Sequence, residues 1–98
     1  MTADEMLTAL KIDLKMTPTG TAYNDLLNPL LASAADYITR EGATLNTNGS
    51  YEDAMLVVGY AAFLFRQRDS GDTEFPRWLR YALNNRILSE TAGDTDAG

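Results

Sequence analysis

Residues 54–65 read AMLVVGYAAFLF, twelve positions without a charged or strongly polar side chain. In a chain of 98 residues such a segment has few places to go. As a helix it would rise ~1.5 Å per residue and cover roughly 18 Å, short of the ~30 Å hydrocarbon thickness of a bilayer. The run therefore reads as a buried helix of a globular domain, not as a membrane span. Met55, Val58, Ala62 and Phe65 share one face, and Leu56, Gly59, Tyr60, Phe63 and Leu64 continue around the other side. A helix apolar nearly all round belongs at the centre of a bundle. Gly59, Ala61 and Ala62 thin the rod and let a neighbour approach closely.

The flanking sequence supplies the wrapping. Thr2 and Glu5 have the S/T-x-x-E spacing of a capping box, opening a first helix that carries Met6, Leu7, Leu10 and Leu14 and ends near Lys15 or Met16. A second helix starts at Thr21 or Ala22, holds Tyr23, Leu27, Leu31, Ala34 and Ile38 on one stripe, and stops at Gly42. Pro29 falls inside it, but the stripe runs through without changing phase, which favours one kinked helix over two. The polar segment 42–50, GATLNTNGS, reads as a loop. Ser50 and Asp53 form a second capping-box position ahead of the central helix, which spans Tyr51 to about Arg68. After the acidic connection DSGDTE, Pro76 suits the start of a fourth helix bearing Trp78, Leu79, Ala82, Leu83, Ile87 and Leu88. The closing SETAGDTDAG is small, polar and acidic. These features predict an all-α domain over 1–90, four helices around a central apolar one, with 91–98 as a flexible acidic tail.

Composition excludes several classes of function. The chain has no cysteine and no histidine, which removes disulfide frameworks, most zinc sites and Ser-His or Cys-His catalysis. A net charge of −6 argues against a general nucleic-acid coat. The N-terminal MTADEM is acidic where a secretory leader would be basic. DSGDTE lacks the spacing and length of a calcium loop, and Glu52 with Asp53 sit at a helix start, where carboxylates are stabilised anyway. No phosphate-cradling glycine loop occurs. No enzyme and no cofactor are expected.

What remains is surface chemistry. Five of the eight basic residues, Arg66, Arg68, Arg77, Arg80 and Arg86, fall between 66 and 86. Arginine suits interface ion pairs, so one reading is contact with acidic patches on a neighbouring subunit or partner. Local pairing with Asp69, Asp72 and Glu74 on a solvated face is the plainer reading, and contact with DNA phosphates a third. Trp78 and Phe75 read first as core aromatics and second as a binding hot spot.

The order of these features resembles a known family. MLTALKIDLKM, then TAYNDLLNPLLASAADYITREGA, then a Tyr-x-Asp segment leading into the buried helix and RQRDSG, and last FPRWLRYALNNRI, together resemble the small head-tail connector proteins of long-tailed phages over about residues 3–88. The resemblance implies a structural virion protein that catalyses nothing. Such adaptors form a ring, usually twelve-fold, beneath the portal protein, and some are monomers in isolation. The C-terminal helical segment often meets the portal, and the other side receives a stopper or tail-completion protein. DNA passes through the channel without specific binding. The implied location is the capsid-tail junction, and the host cytoplasm during assembly. An acidic wall would keep a duplex from sticking. The rival reading is a DNA-binding regulator whose last two helices form a helix-turn-helix, with Arg77 and Arg80 probing the groove.

Overall fold

The computed structural model describes residues 1–70 and 76–97, with side chains described for 1–68 and 76–90. The acidic connection, with Asp72, Glu74 and Phe75, and the side chain of Asp69 lie outside that set. The chain is all-α: α1 (Ala3–Asp13), α2 (Asn24–Arg40), α3 (Tyr51–Ser70) and α4 (Arg77–Ala97), with no strand among the described residues. The helical backbone of α4 continues to Ala97, past Leu88, where the apolar pattern stops, and through most of the segment read as a tail.

Local chemistry explains the boundaries. The Thr2 hydroxyl accepts the Glu5 N–H at 3.1 Å, and the Glu5 carboxylate accepts the Thr2 N–H at 2.8 Å. Both halves of the first capping box are therefore formed, and these hydrogen bonds hold the Glu5 carboxyl below its ordinary pKa. α1 ends earlier than its apolar pattern suggests. The Lys15 N–H bonds to the Ile12 carbonyl and the Met16 N–H to the Lys11 carbonyl, the pairing of a Schellman cap. Lys15 occupies the left-handed position, at φ 61°, where glycine is usual. The C-terminus of α2 repeats the device with the expected residue. Gly42 stands at φ 114°, its N–H on the Thr39 carbonyl and that of Ala43 on the Ile38 carbonyl. Pro29 lies within one continuous α2, on its exposed side, where water can solvate the carbonyl that proline leaves without a donor.

α3 packs against each of α1, α2 and α4. Ala54, Val57, Val58, Ala61 and Ala62 are almost completely buried, together with Leu10 of α1, Leu27 and Ile38 of α2, and Leu79 and Leu83 of α4. Each buried leucine of this set contributes about 1.5–3 kcal/mol relative to exposure. Tyr37 of α2 stacks on Tyr60 of α3 with ring centroids 4.6 Å apart. Burial, with Tyr37 and Glu41 nearby, pushes the Tyr60 hydroxyl above its usual pKa.

The central run is not covered on every side. Met55, Gly59 and Phe63, spaced four apart along one face, are only partly buried. The molecule is correspondingly elongated, 48 × 29 × 18 Å. No helix among the described residues is long and apolar enough to cross a membrane.

Candidate functional site

The open face of α3 forms one wall of a groove, and α4 forms the other. A cavity of about 550 Å³ lies between them, lined among others by Tyr51, Met55 and Leu56 from α3 and by Trp78, Ala82 and Ser89 from α4. Glycine at 59 sets its shape. A Cβ placed there would come within 2.5 Å of the Trp78 ring, so only the bare backbone lets the indole lie across α3. Close approach at Gly59 was legible in the run itself.

The position of Trp78 corrects the reading of that residue as core. It is 59 % exposed, while Leu79 beside it is 1 % exposed. Successive helical residues differ by ~100° around the axis, so burying Leu79 and Leu83 turns Trp78 to the flank. Trp78, Tyr81, Asn85 and Leu88 follow spacings of three and four, forming one stripe on that flank. Tyr81 is 61 % and Leu88 65 % exposed, and Tyr51 across the groove 68 %. α4 therefore carries two apolar stripes: Leu79 and Leu83 face its own α3, and Trp78, Tyr81 and Leu88 face outward.

The arginines divide into different roles. Arg86 is anchored inside the fold. Its Nε donates to Asp53 Oδ1 at 2.7 Å and its Nη2 to the Thr44 carbonyl at 2.7 Å, with Glu90 a further partner at 3.4 Å. Asp53, 2 % exposed, also accepts the Asn46 N–H at 2.9 Å. Burial alone would raise the Asp53 pKa. The hydrogen bonds from Arg86 and Asn46, aided by the guanidinium charge, outweigh burial and leave it below the ordinary carboxylate value. Glu90 accepts the Thr44 N–H at 2.8 Å, and its pKa is likewise lowered by hydrogen bonding to Thr44. This clasp ties α4, the start of α3 and the 42–50 loop together. It also shows what became of the second capping box: Ser50 Oγ accepts the Asp53 N–H at 3.2 Å, but the Asp53 carboxylate turns away to Arg86.

Arg66 reaches Asp13 of α1 at 3.3 Å, and Arg80 approaches Glu41 at 3.8 Å. These pairs join elements distant in sequence; the local pairing expected with Asp69, Asp72 and Glu74 falls on side chains outside the described residues. Arg68 and Arg77 are exposed, Arg77 adjoining the outward stripe of α4. The structure thus places Trp78 and Arg86 in the lining of the groove, with Arg86 clasped to Asp53 and the Thr44 carbonyl, and leaves Arg77 exposed outside that lining. Sequence reasoning missed Tyr51, Tyr81 and Leu88 as surface groups; their signal was a second apolar stripe on a helix whose first stripe is already satisfied.

A second apolar surface lies on α1. Met1, Asp4, Thr8, Ala9 and Ile12 line a shallow hollow of about 390 Å³, and Ile12 is 59 % exposed. No cluster of carboxylates with metal-binding geometry occurs among the described residues. No family model, curated protein or solved structure matches the chain.

Proposed function

We propose that this protein is a structural adaptor that assembles beneath a phage portal and joins capsid to tail, with the duplex passing through the assembled ring. One observation carries the reading: α4 presents an aromatic stripe outward beside a half-open groove in the central helix. A chain that leaves its most apolar helix incompletely covered is suited to completion by another protein surface. The order of helices, resembling phage connectors, supplies the particular setting. The net charge of −6 suits a channel that must release DNA. The contacts of Arg80 with Glu41 and of Arg86 with Asp53 engage two of the cations a helix-turn-helix would offer to phosphate, so the regulator reading has less support.

The test is assembly. Purified protein mixed with portal rings is expected to add a layer visible by electron microscopy, and particles made without it are expected to hold DNA poorly and lack tails. Salt-sensitive retardation of a specific duplex, with no binding to portal, would reject the adaptor in favour of the regulator.

A further inference from the structure

We propose that Asn48 is a site of spontaneous covalent modification, its side-chain amide converting through a cyclic imide to aspartate or isoaspartate, and that Asn46 restrains the conversion. The inference stands apart from the adaptor reading and does not depend on it.

The sequence supplies the reactive pair. Of the chain's six asparagines, only Asn48 is followed by glycine. With no Cβ on residue 49, its backbone nitrogen is open to close approach and the main chain is free to turn. The step balances with water alone. The Gly49 nitrogen loses its proton and attacks Cγ of Asn48. The Cγ–Nδ2 bond breaks, and the side-chain nitrogen takes up a proton and leaves as ammonia. Water then adds to one of the two imide carbonyls. The ring opens to aspartate or, with an extra methylene in the main chain, to isoaspartate.

The structure sets the rate. Asn48 and Gly49 are exposed, in a turn ahead of α3. Asn24 and Asn28 lie in α2, and Asn84 and Asn85 in α4, where the regular helix fixes the main chain and withholds this geometry. At the Asn48–Gly49 pair the restraint is a side chain. The Gly49 N–H donates to Asn46 Oδ1 at 3.1 Å, so the attacking nitrogen is engaged. A Cβ on residue 49 would stand 2.6 Å from Asn46 Nδ2, so the bare glycine both lets this amide lie against the turn and makes the pair reactive. Asn46 is itself held on two sides. Its N–H donates to Asp53 Oδ2 at 2.9 Å, and its carbonyl accepts the Ser50 N–H at 2.8 Å. Asp53 in turn is paired with Arg86 of α4. The restraint therefore runs from α4 through Asp53 to Asn46, and local opening of the clasp releases it.

The full chain is aged in neutral buffer, digested with trypsin, and peptide 41–66 mapped by mass spectrometry, with fragment ions placing each amide-to-acid change. Conversion is expected at Asn48 ahead of Asn84 and Asn85, and faster in guanidinium chloride than in the folded protein. Asn46→Ala should speed it about fivefold, the worth of one net hydrogen bond. Asn46→Asp keeps an acceptor for the Gly49 N–H and should age like the parent. Arg86→Met, which touches neither residue of the pair, should speed it about twofold by loosening the clasp. Circular dichroism confirms that each variant folds. No conversion at Asn48 in either the folded or the denatured chain would overturn the site. An Asn46→Ala rate equal to the parent's would overturn the restraint, an Asn46→Asp rate equal to that of Asn46→Ala would overturn the hydrogen bond as its cause, and an unchanged rate in Arg86→Met would overturn the link to α4.

Discussion

Replacing Arg86 by methionine tests whether the polar clasp holds α4 in place. Methionine keeps much of the aliphatic stem and removes the guanidinium. Asp53, 2 % exposed, would then lose its cation and retain only the Asn46 N–H, while the Thr44 carbonyl loses a donor. Breaking one side of a fully buried ion pair costs about 3–5 kcal/mol. The Arg86 side chain is 26 % exposed, so water relieves part of that penalty. A loss of about 2–3 kcal/mol is expected, against about 5–15 kcal/mol for a typical domain. Urea unfolding followed by circular dichroism measures it. Asp53→Asn keeps an acceptor for Asn46 and should cost less, and the double variant should show a coupling of about 1–2 kcal/mol. The pH dependence has a fixed sign. Asp53 and Glu90 titrate below their unfolded values, so their contribution is complete above the unfolded carboxylate pKa of about 4 and is lost as pH falls through the lower folded values. Arg86→Met should flatten that acid limb. A loss under about 0.5 kcal/mol, or single effects that simply add, would refute the clasp as a stabilising unit.

Other substitutions address the backbone and the groove. Lys15→Gly, relieving a left-handed lysine, should stabilise by about 0.5–1 kcal/mol in the same unfolding assay. Gly42→Ala should destabilise by about 1 kcal/mol, because a Cβ there has open space but the wrong φ. Pro29→Ala should raise the unfolding midpoint, with a gain of about 1–3 kcal/mol from a restored helix bond and better propensity. Gly59→Ala should leave folding within about 1 kcal/mol of the parent, since helix propensity offsets the displaced indole, yet should shift the Trp78 emission to the red by moving the ring off α3.

The helical architecture was legible because its signals are local and periodic. Residues 54–65 announce a buried helix, Thr2 with Glu5 announces a cap, and the unbroken stripe through Pro29 announces one helix there. Legibility failed where a partner lies far along the chain. Arg86 looks like a surface charge until Asp53, 33 positions earlier, is placed against it. Trp78 was misjudged for a different reason: general burial tendencies cannot decide which of two neighbouring residues faces inward, and Leu79 took that place. The early stop of α1 carried no clear signal, since lysine seldom adopts the conformation it holds at position 15.

The seat of Trp78 over Gly59 also has a practical consequence. It is the chain's sole tryptophan, and it stands at the mouth of the groove with water on one side and α3 on the other. Its emission colour and its accessibility to a soluble quencher therefore report on this one place in the molecule. Any occupant that excludes solvent from the indole should shift the spectrum to the blue and shield it, so a titration in unlabelled protein can follow docking as it happens.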